Sequence, residues 1–599
     1  MAGWRGRFAG LLVLAFVAVL VWPASGLAAP PPCASILPLS SVTAGMTGTG
    51  WTVARGTEPQ TFDVEVLGIV PGLVAPGRDV IIVNISGDIV DAAGGVWYGM
   101  SGSPVYDADG NLMGALAYGF SFGPSTIAGL TPAEDMTRIL GYAGASTSRT
   151  TLTTRVKLPR SMVKKIARAT DTSLASIDDS LVRLKVPVSV SGVLPERMRR
   201  LKRMLRRNHA LAVPYAGAAA SSSSGLSSID EFVPGSNFAA ALSYGDLTVA
   251  GVGTTTYVCD GQALAFGHPF FFSGRTSFGA SGADAVTIVT DPVFSPYKLA
   301  NVEGIAGTVD QDRFAGLRAV DEAPPTIPIT SAVTSLDTGN ARSGETDVVF
   351  ADEYPFLSFA HLFSNIDTVF DEIGEGSSTV SWRITGTRAD GSPWQLRRLN
   401  LYTSPWDISI ESSLELWSYL DIIQHNSFER VKFTGVEATA SLEDTVNEYT
   451  LTSVLVCRRG VCRDVDHISA YPGQTIQLQA VLTPSDGSEV QTVDFALTVP
   501  STARRGGIID IEGAPDYFDY CLFGGCGDES KADSFDELLD TLRHQRVNNL
   551  LSARLKLGYR LAVRDWQREF LDQVVRGSKR ICVSLGDGPC GDFDGGKFG

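Results

Sequence analysis

Residues 97–106 read WYGMSGSPVY. Gly99 and Gly102 flank a Met-Ser pair, and Ser103-Pro104 follows at once. Glycine reaches backbone conformations that side chains disfavour. The stretch therefore predicts a tight turn that lifts Ser101 and aims the N–H groups of Gly99 and Ser101 at one point. A serine hydroxyl is a poor nucleophile at neutral pH. It needs a base within hydrogen-bond reach and N–H donors for the oxyanion that forms. The turn supplies the donors, so the base must come from elsewhere. The competing interpretation is a glycine-rich hairpin with incidental serines.

Six histidines are available: His209, His268, His361, His425, His467 and His544. His268 stands apart by its context, ALAFGHPFF at 263–271. An apolar strand runs into Gly267, His268 and Pro269, which places the imidazole at a strand end. The bland alternative is a core histidine satisfied by the main chain. His209 follows a basic segment, His544 lies in a helical pattern, and His425 and His467 belong to later regions.

Around these motifs the pattern is that of strands. FDVEVLGIV (62–70), DVIIVNISG (79–87), NLMGALAYGF (111–120) and STIAGL (125–130) are short β-type runs punctuated by Gly, Asp and Pro. DADG at 107–110 is a hairpin signal. Thr131, Pro132 and Glu134 have the spacing of a capping box and predict a helix start. Residues 232–335 return to a β pattern. Residues 345–510 are mixed, with a helix over 413–424, and SVLVCRRGVCRDVDHISAYPGQTIQLQAVLTP (453–484) suggests a small β-sandwich. Residues 530–558 begin as a helix.

The chain has 599 residues, enough for several cores, and 44% are apolar against 19% charged. A formal net charge of -16 argues against nucleic acid as partner. Arg5 and Arg7, an apolar run from Phe8 and the small residues 24–29 read as an export signal over 1–28. Export admits disulfides, and eight cysteines lie beyond the signal. The simplest pairing is three local bridges, Cys457/Cys462, Cys521/Cys526 and Cys582/Cys590, plus Cys33 with Cys259. Cysteine pairs without nearby histidine make a poor zinc set, and the acidic tail lacks calcium-loop spacing, so no metal is expected. LPERMRRLKRMLRR (194–207) carries seven basic residues beside an apolar stripe. It reads as a packed helix with a solvated basic face, or else as a helix for an anionic surface. AGAAASSSSGLSS (216–228) has linker composition.

GGVWYGMSGSPVYDADGNLMGALAYGF (94–120) and GTTTYVCDGQALAFGHPFF (253–271) together resemble the SpoIVB serine peptidase family, over about a third of the chain. The resemblance implies a mainly β fold, a chymotrypsin-like double β-barrel, followed here by mixed α/β and β-sandwich-like C-terminal regions. It implies Ser101 as nucleophile, His268 as general base, and the N–H groups of Gly99 and Ser101 as oxyanion hole. Two departures stand out. In this chain the serine precedes the histidine, so the halves are in swapped order, as in a permuted fold. The family's aspartate, fifteen residues before the serine, falls on Ser86. Asp88 and Asp91 lie two and five residues away, and Asp88 is the candidate acid.

The resulting organisation is a signal (1–28), a serine-bearing half (29–145), a helical and Ser/Ala-rich linker (146–230), a histidine-bearing half (231–345), a mixed and sandwich-like region (346–515) and a Cys-containing helical region (516–599). The expected activity is that of a secreted or cell-envelope serine endopeptidase acting on protein or peptide without cofactor, with narrow specificity and self-cleavage near 216–228. The alternative is a weak or inactive pseudoprotease that binds in the cell envelope.

Overall fold

The computed structural model describes residues 30–120, 125–143, 155–177, 179–199, 212–218, 225–290, 295–514, 532–557, 561–570 and 572–585. The expected signal segment and Cys521, Cys526 and Cys590 lie outside them. Among the described residues no helix is long and apolar enough to cross a membrane.

Strict alternation builds the first barrel. In β2 (Gln60–Ala75) Phe62, Val64 and Val66 are buried while Asp63 and Glu65 are exposed, as a strand with one solvated face requires. It pairs with β1 (Thr47–Thr52) and β3 (Arg78–Ser86). β3 pairs with β6 (Ile127–Pro132), β6 with β5 (Leu112–Phe120), β5 with β4 (Pro104–Tyr106) and β4 with β1. The six strands form a closed antiparallel ring, which leaves no free edge inside it. Ile81, Val83, Ile85 and Leu116 fill its core.

The segment expected to be a linker carries structure. β7 (Arg155–Lys157) and β8 (Ser180–Arg183) extend the first sheet from β5, with a helix over Arg160–Ala169 between them. β9 (Val186–Ser191) and β10 (Ala212–Ala216) belong to the second sheet. The chain thus passes from one sheet to the other between Arg183 and Val186.

The second barrel has the same ring form. β11 (Asn237–Gly245), β12 (Thr248–Cys259), β13 (Gln262–Ala265), β16 (Gly316–Val320), β15 (Tyr297–Arg313) and β14 (Gly274–Val289) pair in that spatial order, and β14 closes on β11. All six pairings are antiparallel. Phe238, Phe266, Phe278, Val309 and Leu317 form its core.

The boundary expected at 345 is not a break in the sheet. β18 (Ala341–Val348) pairs with β11 and with β17 (Ile327–Ser335), and β17 runs parallel to β21 (Lys432–Glu443). β19 (Gly376–Thr387) and β20 (Pro393–Ser404) complete a thirteen-stranded sheet. Two helices, Tyr354–Phe370 and Ile408–Gln424, lie against this extension, the second longer than its sequence pattern suggested. Strand pairing also crosses residue 515. Strands 448–458 and 467–470 pair in parallel with 574–576 and 578–585, so two five-stranded sheets share one core. The helix expected from 530 is short, Phe535–Arg543, and residues 550–557 form a strand instead.

Candidate active site at the barrel interface

The 97–103 loop is two overlapping turns. Met100 N–H donates to Trp97 O at 3.2 Å and Ser103 N–H to Met100 O at 2.9 Å. Trp97 and Met100 are fully buried and fasten the loop to the first barrel's core. Gly99 and Gly102 hold φ of 100° and 94°, which side-chain-bearing residues rarely adopt. A Cβ on Gly102 would stand 2.1 Å from Thr254 O and 2.5 Å from Phe266 N, so only glycine fits between the barrels there.

The loop belongs to one barrel and is held by the other. Thr254 N–H donates to Ser101 O at 2.8 Å, Thr254 Oγ1 to Gly99 O at 3.0 Å and Thr256 Oγ1 to Gly102 O at 2.7 Å. Lys298 N–H donates to Tyr98 O at 2.8 Å. The Lys298 stem packs on Gly99, and its amine, fully buried, donates to Asn237 Oδ1 at 2.8 Å. Burial pulls that amine down to about 7. With the Met100, Gly102 and Ser103 N–H groups engaged, those of Gly99 and Ser101 donate to no described residue. They are the two N–H groups the sequence assigned to an oxyanion.

His268 follows β13 through two residues of positive φ, Phe266 at 70° and Gly267 at 65°. Thr131 Oγ1 donates to Gly267 O at 2.6 Å. Thr131 therefore does not cap a helix; the short helix Ala133–Thr137 has Pro132 at its N-cap, and the Thr131 hydroxyl ties the barrels together instead. The serine and histidine loops meet at one carbonyl. Gly102 N–H donates to Leu116 O at 2.8 Å, and a Cβ on Gly267 would lie 3.3 Å from that same oxygen.

The imidazole tautomer follows from its neighbour. His268 Nδ1 lies 2.8 Å from Pro269 O. A carbonyl only accepts, so Nδ1 carries the proton and Nε2 presents its lone pair. Nε2 is buried without a hydrogen-bond partner among the described residues, and so is Ser101 Oγ. The two are therefore not hydrogen-bonded to each other. His268 is 0% and Ser101 1% exposed. Burial, with the Arg183 guanidinium adding to it and the Pro269 bond opposing, holds the imidazole down to about 3.

The structure does not bring Asp88 to His268. Asp88 is exposed in the first turn of the helix Asp88–Ala93, Asp91 is exposed one turn on, and Ser86 is exposed at the end of β3. The side chain that supports the histidine loop is one the sequence did not mark. Asp312, buried near the end of β15, accepts from Phe270 N–H at 2.8 Å, Phe271 N–H at 2.7 Å and Ser273 N–H at 3.1 Å. Burial raises its carboxyl, while those three donors and Arg183 oppose the rise. Asp312 sits in VDQDRF between two other charged residues, so no spacing singles it out.

Among the described residues one group has metal-ligand proximity, Cys33, Cys259 and Asp260. Its two sulfurs are joined in the Cys33–Cys259 disulfide, which leaves no thiolate to bind an ion. Cys457–Cys462 is the second bridge. Both match the expected pairs and fit an oxidising compartment.

Fold and site together define a mainly β chain with two six-stranded rings and a serine and a histidine loop between them. No family model, no curated protein and no solved structure matches the chain.

Proposed function

We propose that the chain is an exported serine endopeptidase, its two rings being the halves of a chymotrypsin-like fold in swapped order. The observation that carries this reading is the meeting of the two loops at Leu116 O, with Nε2 bare on one and two N–H groups unengaged on the other. Swapped order is no obstacle, since the same catalytic geometry occurs with different chain orders. In the reaction His268 Nε2 takes the Ser101 proton as Oγ attacks the peptide carbonyl. Gly99 and Ser101 N–H receive the oxyanion, and the imidazolium protonates the leaving amine. Water then hydrolyses the acyl-enzyme with His268 again as base. Pro269 O orients the ring where a triad has a carboxylate. A neutral acceptor stabilises an imidazolium less than a charged one, so a slow, selective enzyme is expected.

The test is labelling with a fluorophosphonate probe. Wild type should label, and Ser101→Ala and His268→Ala should each lose the signal. Well-folded wild type that does not label would sink the reading. It would favour the inactive, envelope-binding alternative, whose inactivity the burial of Ser101 and His268 also supports.

A further inference from the structure

We infer that Asp312 is the positioning acid of this site and reaches His268 through a single peptide group. The inference rests on the Ser101–His268 reading above and names what replaces the aspartate missing at Ser86. Pro269 C=O and Phe270 N–H belong to the same amide. That amide is planar and trans, so its oxygen and its hydrogen point in opposite directions. The oxygen accepts from His268 Nδ1 at 2.8 Å, and the hydrogen goes to Asp312 Oδ1 at 2.8 Å. Carboxylate, amide and imidazole thus form one hydrogen-bonded line.

Two consequences follow from elementary electrostatics. A carboxylate pulling on an amide hydrogen drives electron density onto the amide oxygen, which strengthens the bond that oxygen accepts. The Pro269 carbonyl then acts as a partly charged acceptor as Nδ1 becomes part of an imidazolium. The second consequence is geometric. Oδ2 binds Phe271 and Ser273 N–H, so the carboxylate fixes the peptide plane against rotation and the Nδ1–H tautomer with it. Arg183 is the charged group that acts on both Asp312 and His268. It disfavours an imidazolium on His268 and favours the charged carboxylate of Asp312.

The experiment uses the full chain with Asp312→Asn and Asp312→Ala, and two readouts. The first is the rate of fluorophosphonate labelling. Displacements of about 1 Å cost on the order of a hundredfold in such sites, and Asp312→Asn should slow labelling about ten- to a hundredfold, because its NH2 or its lone oxygen cannot serve all three donors. Asp312→Asn that folds and labels at the wild-type rate overturns the inference. The second readout is the ¹⁵N spectrum of the histidine ring, with His268→Gln identifying the signal. Wild type should show His268 protonated on Nδ1, and the Asp312 variants should gain the Nε2–H form. A purely structural carboxylate would lower the melting temperature and leave the tautomer alone, which also overturns it. Wild type protonated on Nε2 does so without any variant, even where Asp312→Ala fails to fold. If wild type does not label at all, the peptidase reading fails by itself, and the tautomer spectra alone then support or overturn the role of Asp312.

Discussion

His268 shows what burial does to an imidazole. A free imidazole titrates near 6.5, whereas this one is held to about 3 by burial and Arg183. Its Nε2 therefore stays unprotonated throughout the neutral range. Labelling of Ser101 should be flat between pH 5 and 8, where an exposed histidine would lose half its base form at 6.5; a limb near 6.5 in the rate profile would contradict this. The stability effect has a definite sign. The unfolded histidine binds its proton between 6.5 and 3 while the folded one does not, so this contribution is complete above 6.5 and is lost as pH falls toward 3. At this scale the turns that carry Ser101 and His268 were legible because glycine and proline punctuate them. Pro269 O and Asp312 were not. A main-chain carbonyl has no letter in the sequence, and Asp312 is brought to the histidine loop by the pairing of β15 with β14.

β12 is the element that joins the two loops. Thr254 and Thr256 lie two apart on one strand and so share a face, and both hydroxyls reach into the other barrel's loop. Thr256→Val keeps the strand and the shape but leaves the buried Gly102 O without that donor. It should destabilise by about 1–3 kcal/mol and slow probe labelling. Thr254→Val combined with it should cost less than the sum, since both act on one loop. Chemical denaturation of the single and double variants measures this; full additivity would mean that the loop is not a unit. The strand itself was readable in GVGTTTYV. The destination of its hydroxyls was not, because alternation says which residues share a face and nothing about what lies opposite. Thr131 teaches the same lesson. Its spacing fits a capping box, yet the hydroxyl is claimed by Gly267 O across the interface, a tertiary contact that overrode a local signal.

Over the whole molecule, the two rings are one assembly. Asn237 Nδ2 bonds Gly56 O at 3.1 Å, Gly56 and Ala285 form a bridge, and Cys33–Cys259 pins the first residues of the described chain to β12. The mainly β class was legible from the alternating runs. The pairings that cross 345 and 515 were not, because strands distant in sequence complete each sheet and composition does not change where they do. The long disulfide has a separation of 226 residues. In the chain-entropy account a loop of this size contributes about 5.4 kcal/mol. Paired replacement, Cys33→Ser with Cys259→Ser, should lower the melting temperature by several degrees, while loss of Cys457–Cys462, with a separation of 5, should cost less. Equal losses in calorimetry would contradict the loop-length argument.

The grip of the second barrel on residues 98–102 also sets a timetable. Synthesis runs from the N-terminus, so every strand of the first ring exists before Thr254, Thr256 or Lys298 has been made. Cys33 likewise waits for Cys259. During that interval the Ser101 turn has its own hydrogen bonds and the first ring's core but none of the second ring's donors, and His268 joins it only once the later half has arrived. On the peptidase reading proposed above, the site is silent while the chain is being made.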